Sequence, residues 1–440
     1  MVFQILFLLV LGLAGYFLFK SISRIKRNIN LGKDEYLGDQ PAKRFKQMML
    51  VAFGQKKMFS RPVPAILHLF VYVGFVLINI EVLEILIDGI AGTHRIFLPF
   101  LGNFYTIVIN FFEFLAVMVI VVCVVFLLRR NVFKVRRLNM PELKRFPLFD
   151  ANAVLVIEIV LMVALLAMNA CDGILQSRSH EHYGITGTLA FSQFLNPVFM
   201  GLTTEKLVLL ERTFWWFHII GILLFANYLP YSKHLHILMA FPNTYFAKLE
   251  LKGKFKNMPV VTREVKSMLS IPLDEDEQLA ASNLHDTGKF GAKDIPDLSW
   301  KNLMDAYSCT ECGRCTSSCP ANITGKKLSP RKIMMDTRDR MEEIGRHLDK
   351  NKEIDSTKSL LGDYITSEEL LACTTCNACV EECPINIDPL DIIMQLRRYK
   401  IMEEAKAPDS WNAMFSNLEN NQAPWKFSPS DRLNWAKENS

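Results

Sequence analysis

Five stretches of this chain are long and apolar enough to cross a hydrocarbon core of roughly 30 Å at about 1.5 Å per helical residue. They lie at about residues 2–20, 64–90, 104–128, 151–171 and 213–231. This restricts residues 1–240 to a five-helix transmembrane bundle. The first stretch has the position of a secretory signal, but no basic residues precede its apolar run, and Lys20, Arg24, Lys26 and Arg27 follow it. It reads as a retained helix. After about residue 240 the chain turns polar and charged, the composition of a water-soluble domain.

Basic residues in the connections orient the bundle. The first connection carries Arg24, Lys26, Arg27, Lys33, Lys43, Arg44, Lys46, Lys56, Lys57 and Arg61, and the third carries seven from Arg129 to Arg145. The second and fourth carry little beyond Arg95, Arg178, Lys206 and Arg212. By the positive-inside rule the N-terminus lies outside the cytoplasmic (inner) membrane, and the fifth helix leads the remaining chain into the cytosol. The formal charge of +5 is modest, and its basic residues sit in loops rather than on one continuous face. Nucleic-acid binding is excluded on that ground.

Of ten cysteines, Cys123 and Cys171 stand alone and eight form two groups of one spacing, C-x2-C-x2-C-x3-C-P. Cys309, Cys312, Cys315 and Cys319 precede Pro320; Cys373, Cys376, Cys379 and Cys383 precede Pro384. Such clustering in a large chain indicates a metal centre in a reducing compartment rather than a disulfide framework. The spacing is that of bacterial two-cluster ferredoxins, in which the fourth cysteine serves the other cluster. The expected sets are Cys309, Cys312, Cys315 with Cys383, and Cys373, Cys376, Cys379 with Cys319. Zinc sites are built from paired C-x2-C units and do not explain two four-cysteine groups ending in Cys-Pro.

Histidines in the apolar half suggest a second cofactor. His68 lies a few residues into the second helix from the cytosolic side, His218 lies toward the outer end of the fifth, and His234 and His236 follow its inner end. If that helix runs on past Pro230, His218 and His236 project from one face about 27 Å apart. A neutral imidazole supplies an axial haem bond, and two on neighbouring helices can clamp one ring. His68 and His236 share a membrane depth and are the expected haem b pair. His218 is the candidate for a second haem. Of the intramembrane carboxylates, Glu81 and Glu84 read as interfacial or paired, whereas Glu113 and Glu158 are the candidates for moving protons to or from a quinone.

Between the two cysteine groups, RKIMMDTRDRMEEIGRHL places Ile333, Met334, Met341 and Ile344 at helical spacing, and Thr366 and Ser367 before two glutamates mark a helix start. The expected organisation is a connector over 241–300, a helical two-cluster ferredoxin domain over 301–400, and a tail over 401–440. Exposed Trp411, Trp425 and Trp435 make the tail a candidate docking segment.

On these motifs the chain resembles the membrane-bound heterodisulfide reductase family and its electron-transfer-flavoprotein:quinone oxidoreductase relatives. The first half is similar to their haem b subunit, and through it to the gamma subunit of respiratory nitrate reductase, in which helices two and five each supply two haem histidines. His218 and His236 correspond to the helix-five pair and His68 to one of the helix-two pair; Ile78 stands where the other would be. The second half resembles the family's ferredoxin portion, and NNQAPWKFSPSDRLNW resembles the segment that precedes the cysteine-rich CCG catalytic domains. The chain ends where those domains would begin. The resemblance therefore implies a membrane electron-transfer subunit linking menaquinone, haem b and two [4Fe–4S] clusters to a cytosolic CCG-domain subunit or flavoprotein. The substrate-converting site of this oxidoreductase would lie on that partner. The rival reading is a membrane-anchored iron-sulfur redox sensor or assembly factor without quinone chemistry.

Overall fold

A bilayer core offers no water to backbone N–H and C=O groups, so an apolar run must satisfy them within itself, as a helix does. In a computed structural model, which describes residues 1–251, 253–274, 289–354, 356–431 and 433–438, five helices are long and apolar enough to cross a membrane. They are α1 (Val2–Ile29), α2 (Pro62–Ala91), α3 (Asn103–Asn131), α4 (Phe146–Ser177) and α5 (Thr204–Tyr228). Among the described residues β pairing is limited to two isolated bridges, Lys33 with Ser299 and Leu361 with Ile365. The protein is mainly α-helical, a transmembrane bundle followed by a helical two-cluster head.

The helices pack through a core that includes Ile78, Val82, Leu115, Val119, Leu161, Leu165, Trp215 and Ile219. Their other faces expose Leu13, Leu83, Phe111, Val121, Val163 and Leu224, an apolar surface suited to lipid tails. Close contact between α4 and α5 depends on Gly221, where a methyl group would stand 2.5 Å from Leu161 Cδ2. α1 lies at the edge of the bundle and touches it through buried Phe7.

α1 also extends nine residues beyond the expected limit of residue 20. Its final turns leave the bundle and enter the core of the head, where Ile25 and Ile29 pack with Leu303, Tyr307 and Ile344. Asn28 Nδ2 donates to Tyr307 Oη at 2.9 Å, and Arg27 pairs with Asp349. Ala52, Leu235 and Ala240, from short helical segments on this side, join the same core. The head therefore shares its interior with the bundle.

Within the head, α6 (His236–Tyr245), α7 (Trp300–Ser308), α8 (Pro330–Asn351) and α9 (Pro389–Arg398) surround the cysteine loops. α8 buries Ile333, Met334, Met341 and Ile344, the apolar spacing read from the sequence. Thr366 caps a short helix, Ser367–Leu371, in a capping box with Glu369. Part of the expected connector, residues 275–288 including most of LDEDEQ, lies outside the described residues. Its last part is head rather than linker, because Ala292, Ile295 and Leu298 are fully buried in the head core. The tail forms α10 (Asp409–Asn421), beyond which Trp425 and Trp435 are exposed.

Candidate redox site

The two cysteine loops have one backbone design. Glu311 and Gly313 in the first, and Thr375 and Asn377 in the second, stand at equivalent places with positive φ. Alternating left-handed residues curl the chain so that N–H groups face inward, a concavity suited to negative charge. Thr375 N donates to Cys373 Sγ at 3.4 Å, and Ile387 N donates to Cys383 Sγ at 3.3 Å.

Each loop meets the fourth cysteine of the other. Cys319 lines one cavity with Cys373, Cys376 and Cys379, closed by Leu328, Pro330, Leu390 and Ile393. Cys383 belongs electrostatically with the first loop: burial pushes its thiol up to about 12, and Cys312 adds to the rise. Burial likewise raises Cys315, followed by Cys312, Cys309 and Cys383. Buried sulfurs that oppose one another's ionisation are relieved by bound positive charge. Cys319, Cys373, Cys376 and Cys379 line one cavity, so the eight cysteines form two sets of four sulfurs rather than one. That donor set suits a multi-iron cluster better than one zinc ion.

The first loop is clasped to the membrane-side segments. Arg137 Nη1 donates to the Cys312 carbonyl at 2.7 Å, and Arg314 donates to the Lys57 and Met58 carbonyls at 3.1 and 3.2 Å. Lys233 Nζ meets Glu311 Oε2 at 2.8 Å, and Arg338 meets its other oxygen at 2.7 Å. Burial alone would raise the Glu311 carboxyl, but Lys233 and Arg338 outweigh it and hold the group down at about 2.

The ring centroids of His68 and His236 are 6.4 Å apart. That spacing leaves room between the two rings for a group that both imidazoles would hold. His68 Nδ1 lies 3.3 Å from Gln55 Oε1, and His236 Nδ1–H donates to the Lys233 carbonyl at 3.0 Å. Both Nε2 atoms are left for a ligand. Burial lowers the pKa of His236, keeping it in the neutral form that can bind a metal. His234 stands 5.6 Å from His236 and is also held neutral, first by burial and then by His236.

The route by which His236 arrives corrects an expectation. The fifth helix does not run on past Pro230: α5 stops at Tyr228, and two short turns, Leu229–Tyr231 and Lys233–Leu235, intervene before α6. Pro230 has no N–H for a helix bond, and Asp150 holds the break by accepting from Tyr228 Oη at 2.6 Å and Lys233 N at 3.1 Å. His218 and His236 are therefore not on one continuous helical face. His218 is fully buried; its Nδ1–H donates to the Leu161 carbonyl at 3.0 Å, and its Nε2 has no partner. An imidazole fixed through one nitrogen with the other unmatched has the form of a metal ligand, whereas Ile78 is packed in the bundle core.

The carboxylates sort differently from their sequence reading. Glu113 is fully committed, accepting from Asn169 Nδ2 at 3.2 Å, Phe191 N at 2.8 Å and Ser192 N at 3.2 Å. It anchors the loop between α4 and α5. Glu158 lies beside Cys123. Glu84 accepts from Tyr105 Oη at 2.6 Å and Phe97 N at 2.9 Å. Glu81, expected to be interfacial or paired, is 3% exposed, and neither of its oxygens has a hydrogen-bond partner.

A charged network at the end of the bundle away from the head was missed. Arg95 donates to Asp172 at 2.6 Å, Tyr105 at 3.0 Å and Asn169 at 2.8 Å. Beside it, His94 is pushed down to about 3, chiefly by burial. The available signal was Glu81, Glu84 and Asp88 at helical spacing on one face of an otherwise apolar run.

Residues 308–387 match the family described as a 4Fe-4S dicluster domain. Over 99% of its length the chain is 28% identical to FadF of Bacillus subtilis, named a probable iron-sulfur-binding oxidoreductase, and spans 61% of that protein. Over 93% it is 27% identical to the EtfAB:quinone oxidoreductase of Syntrophomonas wolfei, spanning 56% of that protein. Over 24% it is 36% identical to one polypeptide of the ferredoxin/F420H2-dependent CoB-CoM heterodisulfide reductase of Methanosarcina acetivorans, covering 53% of that polypeptide. No solved structure matches. The homologues are thus iron-sulfur oxidoreductases and their subunits, and this chain carries their two-cluster domain behind a set of membrane-length helices.

Proposed function

We propose that the chain is a membrane electron-transfer subunit of a quinone-linked iron-sulfur oxidoreductase, with its head in the cytosol and its N-terminus outside. Cys309, Cys312, Cys315 and Cys383 would hold one [4Fe–4S] cluster, and Cys373, Cys376, Cys379 and Cys319 the other. His68 and His236 would hold haem b, with His218 as the candidate ligand of a second. When bound, these groups supply one-electron stores between two-electron reactants. Menaquinone is the reactant on the membrane side. On the cytosolic side the partner is a CCG-domain subunit or an electron-transfer flavoprotein, a reading supported by the names of the quinone oxidoreductase and heterodisulfide reductase relatives.

One observation carries this reading: a single clasp holds the histidine pair and the first cysteine loop together. The Lys233 carbonyl orients His236 while its ammonium binds Glu311, which sits between Cys309 and Cys312. Gln55 orients His68, and Lys57, two residues on, accepts from Arg314 of the same loop. A chain that holds its metal-binding residues this way is built to pass charge between bundle and head.

Reduced-minus-oxidised optical spectra of the purified chain test the proposal. A haem b alpha band is expected alongside about eight cluster irons, and His68→Ala and His236→Ala should each remove the inner haem while His218→Ala spares it. Absence of the band in a preparation with full cluster iron would overturn the relay reading. Full haem after His68→Ala would overturn the ligand assignment.

A further inference from the structure

At the end of the bundle away from the head, a cavity of about 790 Å³ opens between α1, α2 and α5. That size lies within the range of ligand sites, roughly 300–1,000 Å³. Trp215 and Trp216 form aromatic walls, while Asp88, His182, Arg212 and Thr213 supply polar groups. Phe3 and Leu209 at its edge are exposed on the lipid-facing surface. A ligand that enters from the bilayer and needs a flat wall and a few polar contacts fits this shape.

Behind it lies a second, polar cavity of about 20 Å³, which shares Asp88, Thr93, Arg212 and Trp215 with the first and ends at Glu81. That volume has room for about one water. Its other carboxylates are occupied. Asp88 accepts from Thr93 Oγ1 at 2.5 Å and Arg95 N at 2.7 Å. Asp172 accepts from Arg95 Nε at 2.6 Å and Gln176 Nε2 at 3.0 Å. Glu211 accepts from both Arg212 and Tyr183, and Glu84 from Tyr105 and Phe97. Of the carboxylates lining this cavity, Glu81 alone has neither oxygen bonded. An unpartnered ionisable group within the membrane is retained for a task rather than for stability.

We infer that the larger cavity binds the ring of an isoprenoid quinone and that Glu81, through the polar cavity behind it, takes the proton released on quinol oxidation. The inference rests on the quinone-linked reading above. A phospholipid fits less well, because the Arg212 guanidinium is already paired with Glu211 at 2.5 and 2.6 Å, whereas a neutral ring carbonyl needs only a donor. Oxidation of the quinol would break two O–H bonds: its two electrons would leave singly to the one-electron acceptors of the proposed relay, one proton would pass to Glu81, and the other to water at the open mouth of the larger cavity. His218, with its unmatched Nε2, lies one turn along α5 from Trp215, toward the centre of the bundle.

The test uses the full chain in phosphatidylcholine nanodiscs, titrated with a naphthoquinone carrying a two-isoprene tail and followed by tryptophan fluorescence and calorimetry. Saturable binding is expected for the unaltered chain. Thr213→Phe, which plugs the cavity from its exposed side, should weaken it at least tenfold, and Trp215→Phe with Trp216→Phe should remove most of the quenching. Glu81→Gln should bind the quinone unchanged but slow quinol-driven iron reduction at least a hundredfold. Unaltered binding in Thr213→Phe would place the quinone elsewhere and overturn this inference while sparing the quinone-linked reading. Absence of saturable binding in the unaltered chain would overturn both. Displacement of the quinone by an anionic phospholipid at equal concentration would assign the cavity to lipid, and unchanged reduction in Glu81→Gln would remove Glu81 from the proton path.

Discussion

The two cysteine groups have one spacing and one pattern of left-handed residues, and Lys57 and Arg61 reach the end of the second at Val380 and Glu382, yet the opening turns of the two loops are enclosed to different degrees. Around the first, Arg137, Lys57, Met58 and Lys233 press in from the membrane side, and Gly313 is required: a methyl group there would lie 2.4 Å from Arg331 Nη1 and 2.9 Å from the Arg137 carbonyl. At the equivalent place in the second group stands Asn377, and Cys376 beside it is exposed. A repeated motif thus gains a direction from its neighbours. One end of the head is turned to the bundle, and at the other Cys376 is exposed.

Exchanging the fourth cysteines should have the largest effect on this contrast. Cys319→Ala should lose about half of the roughly eight cluster irons and give the spectrum of Cys376→Ala, whereas Cys383→Ala should match Cys312→Ala. Iron assay and electron paramagnetic resonance would show it, and losses that follow chain order would mean the sets are not crossed. Next, Gly313→Asn should destabilise the head by about 3 kcal/mol through overpacking, while Asn377→Gly costs under about 1 kcal/mol. Equal shifts in their thermal midpoints would erase the asymmetry.

Lys233→Met leaves Glu311 with Arg338 alone and should cost about 2 kcal/mol, visible in the same melts and, on the proposed relay, as a shifted rate of electron passage between bundle and head. The smallest effect belongs to Asp349, which pairs with Arg27 and Arg24 at the edge of the head. Its side chain is 38% exposed, so Asp349→Asn should cost under about 1 kcal/mol. Arg27 holds its carboxyl below the usual range, burial opposes this, and the Arg27 and Arg24 charges add to the lowering. The contribution is therefore present above about pH 4 and lost as pH falls through the depressed folded value. The difference between the two proteins in denaturant melts should vanish at acid pH.

What was legible in the sequence was local. Cysteine spacing, five apolar runs and the buried face of α8 each depend on residues within a few turns of one another. The proximity of His68 and His236 was legible because depth in a membrane is itself a coordinate. Long-range partnerships were not. Glu113 looked like a proton carrier because its donors, the Phe191 and Ser192 N–H groups, lie 78 and 79 residues away in sequence. Glu81 looked unremarkable because lack of a partner is a property of the packed bundle. The break at Pro230 was written in the sequence, but the rebound that still brings His236 to His68 depends on Asp150, near the start of another helix. The head boundary was misplaced because Ile25, Ile29, Ile295 and Leu298 enter one core from distant parts of the chain.

The end of α1 inside the head also sets a timetable. Asn28 meets Tyr307 across 279 residues, so at about 5–20 residues per second of synthesis the first helix waits roughly a quarter of a minute to a minute for its counterpart. During that interval Ile25 and Ile29 lack their head-core neighbours while the rest of the bundle is being inserted. The tip of the first helix thus gains its packing partners only after nearly all of the head has been synthesised.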